Sequence, residues 1–500
     1  MPCPRLLISA AHKSSGKTTL SIGLAKALTE QGHAVQTFKK GPDYIDPMWL
    51  ARASGRPCFN LDPHLMLDAE IGALFECHAA AAGINLVEGN KGLYDGLALD
   101  GSNSNAALAR RLDMPVLLVI DARGMTRGIA PLILGYQAFD REVRIGGVIL
   151  NQLGGTRHEA KLRAVIEHYT DVPVLGAVAA DERLAVTERH LGLMPCAEVD
   201  DAQARVCEIG RIVGAQVDLD RVRALAASAA PLPARAPGSV PGRAAPAARG
   251  HRSGLRIGIA RDRAFGFYYP DDLAALEAAG VELVPIDTLH DERLPAIDGL
   301  FIGGGFPEAC IDALQANAAL RGALREAIER GLPTYAECGG LMYLSRSITW
   351  QGRTAEMVGA IPGDAVMHAR PVGRGYVELQ ETAAMPWAGA GGRSLRGHEF
   401  HHSSLENLDP GVAFAYRVLR GHGVDGGHDG VCVHNLLASY AHLRSVGGVD
   451  WAPRFVEFVR RHRQQRHMPV STHAPTASGA RPLARSARAD PPAWALPDAA

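Results

Sequence analysis

The chain has few cysteines, almost no net charge and no long apolar run, and each absence excludes a class of protein. Its eight cysteines have no regular spacing and no Cys/His grouping, which argues against a disulfide framework or a structural zinc site. A net charge of −1 gives no reason to expect a nucleic-acid or membrane partner. No stretch approaches the roughly 20 apolar residues that cross a bilayer, and we expect no separate leader. A cytoplasmic protein is therefore expected.

What the chain does have is an alternation of short apolar runs with amphipathic helical patterns. Its 500 residues exceed what one hydrophobic core usually holds, so more than one domain is expected. The helical patterns, such as residues 19–31, separate apolar runs that fit buried parallel strands. These runs are residues 6–8, 34–38, 84–87, 116–120 and 146–150. The pattern predicts an α/β fold with helices on both faces of a parallel sheet.

Composition divides the chain into four segments. The first α/β pattern occupies residues 1–225, and residues 226–254 are rich in Ala, Pro, Arg and Gly, which predicts a linker. A second α/β pattern occupies residues 255–462. Residues 463–500 are rich in Pro, Ala, Arg and Ser and are predicted to be a disordered tail.

A phosphate-binding loop follows the first apolar run. Residues 11–18 match the pattern GxxxxGK[ST], except that Ala11 replaces the first glycine. Backbone amides and the following helix N-terminus would hold phosphate, Lys17 would reach the terminal phosphates, and Thr18 would bind Mg²⁺. The alternative is a Ser/Gly-rich turn that only caps a helix. The strand before Gly16 and the helix after it favour nucleotide binding.

Acidic residues follow two further predicted strands, at the edge where ligands bind in open α/β sheets. Asp43 and Asp46 follow one strand, and Glu88 and Asp95 follow another. Glu88 ends its apolar strand, which places it well to hold Mg²⁺ beside a triphosphate. Any one of these carboxylates could instead be a solvated turn residue, but four together favour a site. Asn151, after another strand, is a weaker candidate for reading a purine base.

Cys338 lies between an apolar strand and a Gly-Gly turn. This pattern predicts an elbow at a helix N-terminus, which favours a thiolate nucleophile. A lone cysteine is otherwise a small buried apolar residue. The run 301–308 ends another strand, and its exposed amides could form an oxyanion hole. The base is expected to be a histidine, and spacing leaves five candidates open: His398, His401, His402, His434 and His442.

The two sites suit one reaction class. An ATP site can activate a carboxylate, and a cysteine of this kind can liberate ammonia from an amide. Together they predict a glutamine-dependent, amide-forming ligase.

The order of these motifs resembles the cobyrinic (or hydrogenobyrinic) acid a,c-diamide synthases of cobalamin biosynthesis. The resemblance covers about residues 4–445 and is carried by SSGKTT, FKKGPDYIDP, VEGNKGLYDG, ERHLGL, ARDRAFGFYYPDDL, FIGGGFPE, AECGGLMYL, RGHEFHHS and LLASYAHL. The N-terminal half is also similar to dethiobiotin synthetase in its P-loop and in Lys39. The C-terminal half is similar to class I glutamine amidotransferases, which use a Cys-His pair.

The resemblance implies roles for particular residues. Cys338 would be the glutaminase nucleophile, His442 would raise its nucleophilicity, and Gly304, Gly305 and Gly339 would bind glutamine and its oxyanion. The implied ATP-binding residues are Gly16, Lys17, Thr18, Thr19, Lys39 and Asn151. The implied metal ligands are Thr18, Asp46 and Glu88. The implied substrate-binding residues are Asp43, Tyr44, Asp46 and Asp95.

The implied reaction is ATP-dependent amidation of the a and c carboxylates of cobyrinic or hydrogenobyrinic acid. Glutamine would supply nitrogen, Mg²⁺ would be the cofactor, and each carboxylate would pass through an acyl phosphate. Ammonia released at Cys338 would travel inside the protein. A homodimeric assembly is left open.

Several positions depart from the family pattern, among them Arg444, Asp272, Lys40 and the pair Asn90-Lys91. Arg444 stands two residues after His442, where class I amidotransferases carry a glutamate, so a Cys-His dyad or orientation by another group is expected. Asp272 stands where relatives usually have asparagine.

Two alternatives remain open at the level of the sequence. The nearest is a sibling ligase acting on another tetrapyrrole, either cobyric acid synthase or the nickel-sirohydrochlorin a,c-diamide synthase. The stretch 260–270 disfavours cobyric acid synthase. An alternative of another class is a non-catalytic, ATP-switched binding protein, against which the elbow at Cys338 argues.

Overall fold

A computed structural model of the chain describes residues 3–79, 83–186, 188–189, 192–232, 254–387 and 391–467. Most of the predicted linker and nearly all of the predicted tail lie outside these ranges. The two α/β patterns of the sequence correspond to two halves, each built on its own central sheet. The fold class predicted from the sequence is confirmed.

The N-terminal half alternates strands and helices, as its apolar runs predict. Its elements in chain order are β1 Arg5–Ala10, α1 Lys17–Glu30, β2 Val35–Lys40, α2 Ile45–Ser54, β3 Phe59–Leu61, α3 Asp68–Ala79, β4 Ile84–Glu88, α4 Asn105–Arg111, β5 Val116–Asp121, α5 Ile129–Phe139, β6 Ile145–Leu153, α6 Thr156–Tyr169, β7 Val174–Ala179, β8 Glu188–Arg189, β9 Gly192–Leu193, α7 Ala202–Gln216 and α8 Leu219–Ala227. Helix α8 passes the predicted domain boundary at position 225 by two residues.

The described strands of this half form a parallel sheet in the order β3-β2-β4-β1-β5-β6-β7, and β8 pairs separately with β9. Strands β1 and β4 are buried along their whole length, because helices cover both faces. One apolar cluster lies on the face of Phe75 and Leu108, and a second lies on the face of Leu24 and Val213. Since all strands run parallel, β1, β2 and β4 end at the same edge, which brings their following loops together.

The C-terminal half has more strands than the sequence pattern predicts. Its elements are β10 Leu255–Ala260, β11 Phe265–Phe267, α9 Pro270–Ala278, β12 Val281–Ile286, β13 Gly299–Ile302, β14 Gly304–Gly305, α10 Ile311–Ala316, α11 Ala318–Glu329, β15 Thr334–Glu337, α12 Gly339–Leu344, β16 Ser345–Trp350, β17 Arg353–Glu356, β18 Ile361–Met367, β19 Gly373–Glu381, β20 Ser394–His401, β21 Ser403–Glu406, β22 Ala413–Arg420, β23 His428–Val433, β24 Leu436–Ser439 and α13 Trp451–His467.

The described part of this half has a central sheet in the order β12-β10-β13-β15-β24-β23-β22-β19-β20. From β12 to β24 the strands are parallel, and from β24 onward they pair in antiparallel fashion. A smaller sheet has the order β17-β16-β18-β21. The antiparallel extension was not predicted. It carries β20 back to the segment after β24, where the backbones of His398 and His442 form a bridge.

Among the described residues, no helix is long and apolar enough to cross a bilayer.

Candidate active site

The phosphate loop connects β1 to α1, as the sequence predicts. Gly16 precedes α1 with a φ of 86°, in the left-handed region that favours glycine. A Cβ atom at Gly16 would lie 2.2 Å from Nδ2 of Asn151, so the close approach also requires glycine. That nitrogen donates to the Ser15 carbonyl oxygen at 2.9 Å. Asn151 therefore supports the loop backbone, and its contact with a purine base stays a prediction.

The first turn of α1 presents Lys17, Thr18 and Thr19 at this edge of the sheet. Lys17 is buried, and the two threonines are half-buried. Burial lowers the pKa of the Lys17 ammonium, and the nearby Lys39 adds to this, while Glu88 acts in the opposite direction. An anion in the loop would stabilise the charged lysine, as expected at a helix N-terminus that binds phosphate.

A buried cluster of one ammonium and three carboxylates lies beside the loop. Lys39 Nζ donates to Asp46 and, at 2.9 Å, to Glu88 Oε1, and it lies 3.7 Å from Asp43 Oδ2. The Thr18 hydroxyl lies 2.7 Å from Glu88 Oε1 and 3.2 Å from Asp46 Oδ2. Burial alone lowers the pKa of Lys39, but the three carboxylates outweigh it and raise that pKa well above its ordinary value. The structure thus brings the three predicted metal ligands close to Lys39, the lysine shared with dethiobiotin synthetase in the sequence comparison. These ligands are Thr18, Asp46 and Glu88.

Burial raises the pKa of two carboxylates of this cluster, Asp43 and Glu88. Burial, reinforced by the charge of Asp46, raises the pKa of Asp43 to about 7. Burial also raises the pKa of Glu88, although Lys39 opposes it. Both shifts reflect the cost of placing negative charge away from water, which a bound cation would reduce.

The residues present fit a magnesium ion held beside a triphosphate. The ligand candidates are a hydroxyl and carboxylates, which are the oxygen donors that Mg²⁺ prefers. Within the described ranges, Oε2 of Glu88 is buried and has no hydrogen-bond partner. No group of three or more His, Cys, Asp or Glu side chains in the described part of the chain could hold a metal ion. Phosphate oxygens and water would therefore have to complete the coordination shell.

Asp95 lies further out on the same edge. Its side chain is exposed, and its carboxylate accepts from the Gly92 amide at 2.9 Å. It is close enough for its charge to act on Lys17. Its predicted contact with substrate is open to test.

Cys338 lies at the turn between β15 and α12, as predicted. Its backbone has a φ of 46° and a ψ of −101°, a sparsely populated conformation that costs on the order of 1–3 kcal/mol. The backbone amide donates to the Ser439 carbonyl oxygen at 2.7 Å, which holds the elbow against β24. The side chain is buried, and its sulfur lies 4.0 Å from the carbonyl oxygen of Phe400.

His442 is the histidine candidate that faces Cys338. Its Nδ1 lies 3.2 Å from Oε2 of Glu337, the residue before the cysteine. A carboxylate accepts hydrogen bonds, so Nδ1 carries a proton and Nε2 remains for the sulfur. Burial by itself lowers the pKa of His442, but hydrogen bonds to Cys338 and Glu337, together with their charges, raise it to about 10. The imidazole is thus held between the sulfur and the carboxylate, with its protonated form favoured.

The other histidine candidates have different surroundings. His398 stacks on His442, with ring centroids 4.9 Å apart, and burial, followed by the charge of His442, lowers its pKa well below the usual value. His401 and His402 each bond to a backbone carbonyl oxygen. His434 is exposed in the turn between β23 and β24.

The three predicted oxyanion glycines lie together around the elbow. A Cβ atom at Gly304 would lie 2.6 Å from Cε1 of His442. One at Gly339 would lie 2.9 Å from the backbone nitrogen and oxygen of Gly305. These approaches explain why glycine is required, and an oxyanion role for the amides stays a prediction.

The loop after β2 reaches the cysteine half. Tyr44 stacks on Phe267, with centroids 5.3 Å apart and planes 2° apart, and its ring lies 5.2 Å from that of His442. Asp43, Tyr44 and Cys338 line one cavity of about 190 Å³. Tyr44, predicted to bind the macrocycle, is thus buried against the cysteine site.

Asn60 and Arg444 fix this loop between the halves. Asn60 Nδ2 donates to the carbonyl oxygens of Gly41 at 2.8 Å and Asp43 at 2.7 Å. Arg444, which is 1% exposed, donates to the Asn60 carbonyl oxygen at 2.7 Å and to Asp271 at 2.9 Å. The arginine that replaces the class I glutamate is therefore a contact between the halves.

The sequence did not predict that Glu337 and His398 both contact His442. The only local signal for Glu337 was its position directly before the cysteine in AECGG. His398 was one of five equal candidates, because sequence spacing does not show which strand returns to the elbow.

Each half of the chain matches a model of a known domain family. Residues 7–193 match the model of the CobQ/CobB/MinD/ParA nucleotide binding domain. Residues 256–446 match that of the CobB/CobQ-like glutamine amidotransferase domain. Among solved structures, the chain is similar to PurLQS from Thermotoga maritima, with 18% identity and a TM-score of 0.33, over 42% of this chain and 98% of that chain.

Curated relatives align with nearly the whole chain. A cobyrinate a,c-diamide synthase of Magnetococcus marinus is 47% identical over 91% of this chain and 97% of its own length. One of Methanosarcina acetivorans is 42% identical over 93% of this chain and 97% of its own length. The resemblance read from the motifs is confirmed. This chain belongs to the cobyrinate a,c-diamide synthase family and is a glutamine-dependent amide ligase.

Proposed function

We propose that this protein amidates the a and c carboxylates of cobyrinate or hydrogenobyrinate, with ATP as energy source and glutamine as nitrogen donor. The observation that carries the proposal is the single cavity that Asp43 and Tyr44 share with Cys338 and His442. It connects an amide-cleaving pair to a loop whose carboxylates contact Lys39, beside the phosphate loop. The names of the relatives supply the ring substrate.

The two halves have different roles in this reaction. Residues 1–225 bind ATP and the corrin ring, and residues 255–462 release ammonia from glutamine. The segment 226–254 joins them.

In the C-terminal half, the thiolate of Cys338 attacks the side-chain amide carbon of glutamine. The His442 imidazolium gives its proton to the departing nitrogen, so ammonia leaves and a glutamyl thioester remains. Water then cleaves the thioester, with His442 accepting its proton, and glutamate is released. The amides near Gly305 and Gly339 hold the negative oxygen of each tetrahedral intermediate.

In the N-terminal half, a ring carboxylate attacks the γ-phosphorus of ATP and forms an acyl phosphate and ADP. Lys17 and the N-terminus of α1 hold the phosphates in place. Thr18, Asp46 and Glu88 would hold Mg²⁺, which would neutralise charge at the phosphate oxygens. Ammonia then attacks the acyl carbon and expels phosphate, which leaves the amide.

The cavity suits the transfer of neutral ammonia. Tyr44 and Phe267 contribute aromatic walls, and His398 is held neutral because burial lowers its pKa. Ammonia that escaped into water would become mostly ammonium, which is not a nucleophile. Transfer through this cavity, away from bulk water, would therefore preserve the reacting form.

The test incubates purified protein, Mg-ATP and glutamine with cobyrinate or, separately, with hydrogenobyrinate. Mass spectrometry of the macrocycle then detects amidation. Wild type is expected to exchange two hydroxyl groups for amino groups on cobyrinate, hydrogenobyrinate or both. Cys338→Ala is expected to lose the glutamine-driven reaction and to retain the reaction with added ammonia, because the variant changes the nitrogen source alone.

Loss of the ammonia-driven reaction in Cys338→Ala would contradict the division into two sites. Absence of a mass change on either corrin ring, with nickel-sirohydrochlorin amidated instead, would replace the substrate assignment. Exchange at carboxylates other than a and c would point to the cobyric acid synthase reaction.

A further inference from the structure

The residue that orients the catalytic histidine is not at the position where class I amidotransferases carry it. Arg444 stands there, and its guanidinium bonds to Asp271 and to the Asn60 carbonyl oxygen, away from His442. The buried carboxylate of Asp429 is also unavailable. It accepts from the hydroxyl of Ser439 and from backbone amides of the turn that follows.

Glu337 is the carboxylate that does reach the imidazole. It ends β15, is 2% exposed, and places Oε2 at 3.2 Å from His442 Nδ1. Its other oxygen, Oε1, accepts from the Tyr335 hydroxyl at 2.6 Å and from the Leu443 amide at 3.0 Å. Two donors on Oε1 fix the plane of the carboxylate, so Oε2 is held toward Nδ1 and is not free to rotate away.

The chain geometry makes this arrangement compact. Glu337 and Cys338 are adjacent, and the positive φ at Cys338 turns its side chain away from the strand that carries Glu337. The imidazole of His442 can therefore meet the sulfur at one nitrogen and the carboxylate at the other. Backbone bonds between His398 and His442, at 2.7 and 3.1 Å, hold the histidine at this place.

We infer that Glu337 is the positioning residue of the Cys338–His442 pair, so that the carboxylate of the triad precedes the nucleophile instead of following the histidine. This inference rests on the proposed function for the glutaminase half alone. Glu337 fixes the proton of His442 on Nδ1 and leaves Nε2 to exchange a proton with the sulfur. It touches neither glutamine nor ammonia.

The variant Glu337→Gln should shift the pH dependence of glutamine hydrolysis in a defined direction. The groups that face His442 are Cys338, Glu337, His398 and Tyr44. Removal of the Glu337 charge takes away one of the two contributions that raise the histidine pKa, while the other groups remain. The imidazolium is then lost at lower pH, and the alkaline limb of glutamine hydrolysis moves to lower pH.

The experiment measures glutamine hydrolysis, labelling of Cys338 by a diazo-ketone glutamine analogue, and ammonia-driven amidation in wild type and Glu337→Gln. We expect glutaminase kcat to fall about 10²–10⁴-fold, the range for removing a carboxylate that orients a catalytic histidine. Ammonia-driven amidation should stay within about threefold of wild type. Tyr335→Phe, which keeps the carboxylate and removes one donor to it, should lose less than about tenfold.

Hydrolysis and labelling by Glu337→Gln that match wild type in rate and in pH profile would overturn the inference. Equal loss of glutamine-driven and ammonia-driven activity would show a merely structural role and also overturn it. If Glu337→Gln does not fold, Glu337→Asp decides by the same readouts, because its carboxylate is one methylene shorter. If the wild type does not amidate a corrin, the proposed substrate is wrong. Glutamine hydrolysis and Cys338 labelling would still test the role of Glu337, because neither readout requires the corrin.

Discussion

The Thr18 hydroxyl connects the phosphate loop to the two carboxylates beside it. It lies 2.7 Å from Glu88 and 3.2 Å from Asp46, so it shares their side of the site with Lys39. A hydroxyl can accept a metal bond as well as donate a hydrogen bond, which lets the same group serve the free and the nucleotide-bound enzyme.

Thr18→Val, which keeps the side-chain shape and removes the hydroxyl, should raise the Mg²⁺ concentration required for amidation. We expect a loss of about 10–100-fold at fixed Mg²⁺ with either glutamine or ammonia, the range for removing a metal-supporting group. Thr18→Ser is the matched control and should stay close to wild type. Equal Mg²⁺ titrations of Thr18→Val and wild type would contradict the ligand assignment.

Asp272 is a buried carboxylate in the first turn of α9. Its carboxylate accepts from the Ser445 amide at 2.8 Å and from the Trp451 indole nitrogen at 3.1 Å. Burial, followed by the charge of Asp271, raises the pKa of Asp272 well above its usual range. A protonated aspartate is neutral and still offers an acceptor oxygen, so in that form Asp272 accepts these bonds without adding a buried charge.

At the scale of elements, apolar runs of the parallel sheet predicted their strands well. The runs at 6–8, 84–87 and 116–120 are confirmed as the centres of β1, β4 and β5. The antiparallel strands β19, β20, β22 and β23 were missed, because they mix buried with exposed residues and lack a continuous apolar run. They belong to the central sheet through pairing with one another and, at β23, with β24.

Residues 41–46, which form the loop after β2 and the start of α2, connect the phosphate site to the cysteine site. Asp43 and Asp46 contact Lys39 at one end, and Tyr44 lies against His442 and Phe267 at the other. The sequence placed all three residues on one substrate-binding loop. The structure separates them, because the backbone turn between Asp43 and α2 sends the aromatic ring toward the second half.

Tyr44→Ala should uncouple glutamine hydrolysis from amide formation. Removal of the ring opens a wall of the cavity, so part of the ammonia escapes and more glutamate forms for each amide made. Tyr44→Phe keeps the stacked ring and should retain the wild-type ratio. The measurement is the molar ratio of glutamate to amide nitrogen, and an unchanged ratio in Tyr44→Ala would show that Tyr44 does not seal the passage.

At the scale of the whole molecule, a few buried polar contacts join the halves. Arg444 bonds to Asn60 of β3 and to Asp271 of α9, and Tyr376 of β19 donates to Asp62 at 3.0 Å. A buried pair of this kind stabilises little by itself, but removal of one partner leaves an unpaired charge. Asp271 thus holds the Arg444 guanidinium within the C-terminal half, where it donates across to the Asn60 carbonyl oxygen of the N-terminal half.

Arg444→Met should lower the free energy of unfolding by about 3–5 kcal/mol, because it leaves the buried Asp271 carboxylate unpaired. The double variant with Asp271→Leu should recover much of this loss, since both charges are then absent. Thermal and urea unfolding of the wild type, both single variants and the double variant measure the coupling. Additive losses in the double variant would show that the pair is not coupled.

The sequence by itself determined the phosphate loop, the cysteine elbow and the family, because each depends on residues that are neighbours along the chain. Tertiary structure alone decided which groups complete the sites. Glu337 meets His442 across 105 residues, and Arg444 meets Asn60 across 384. Contacts at such separations depend on strand order and on how the halves pack. Local sequence patterns therefore identify the reactive residues, whereas tertiary packing determines which distant residues contact them.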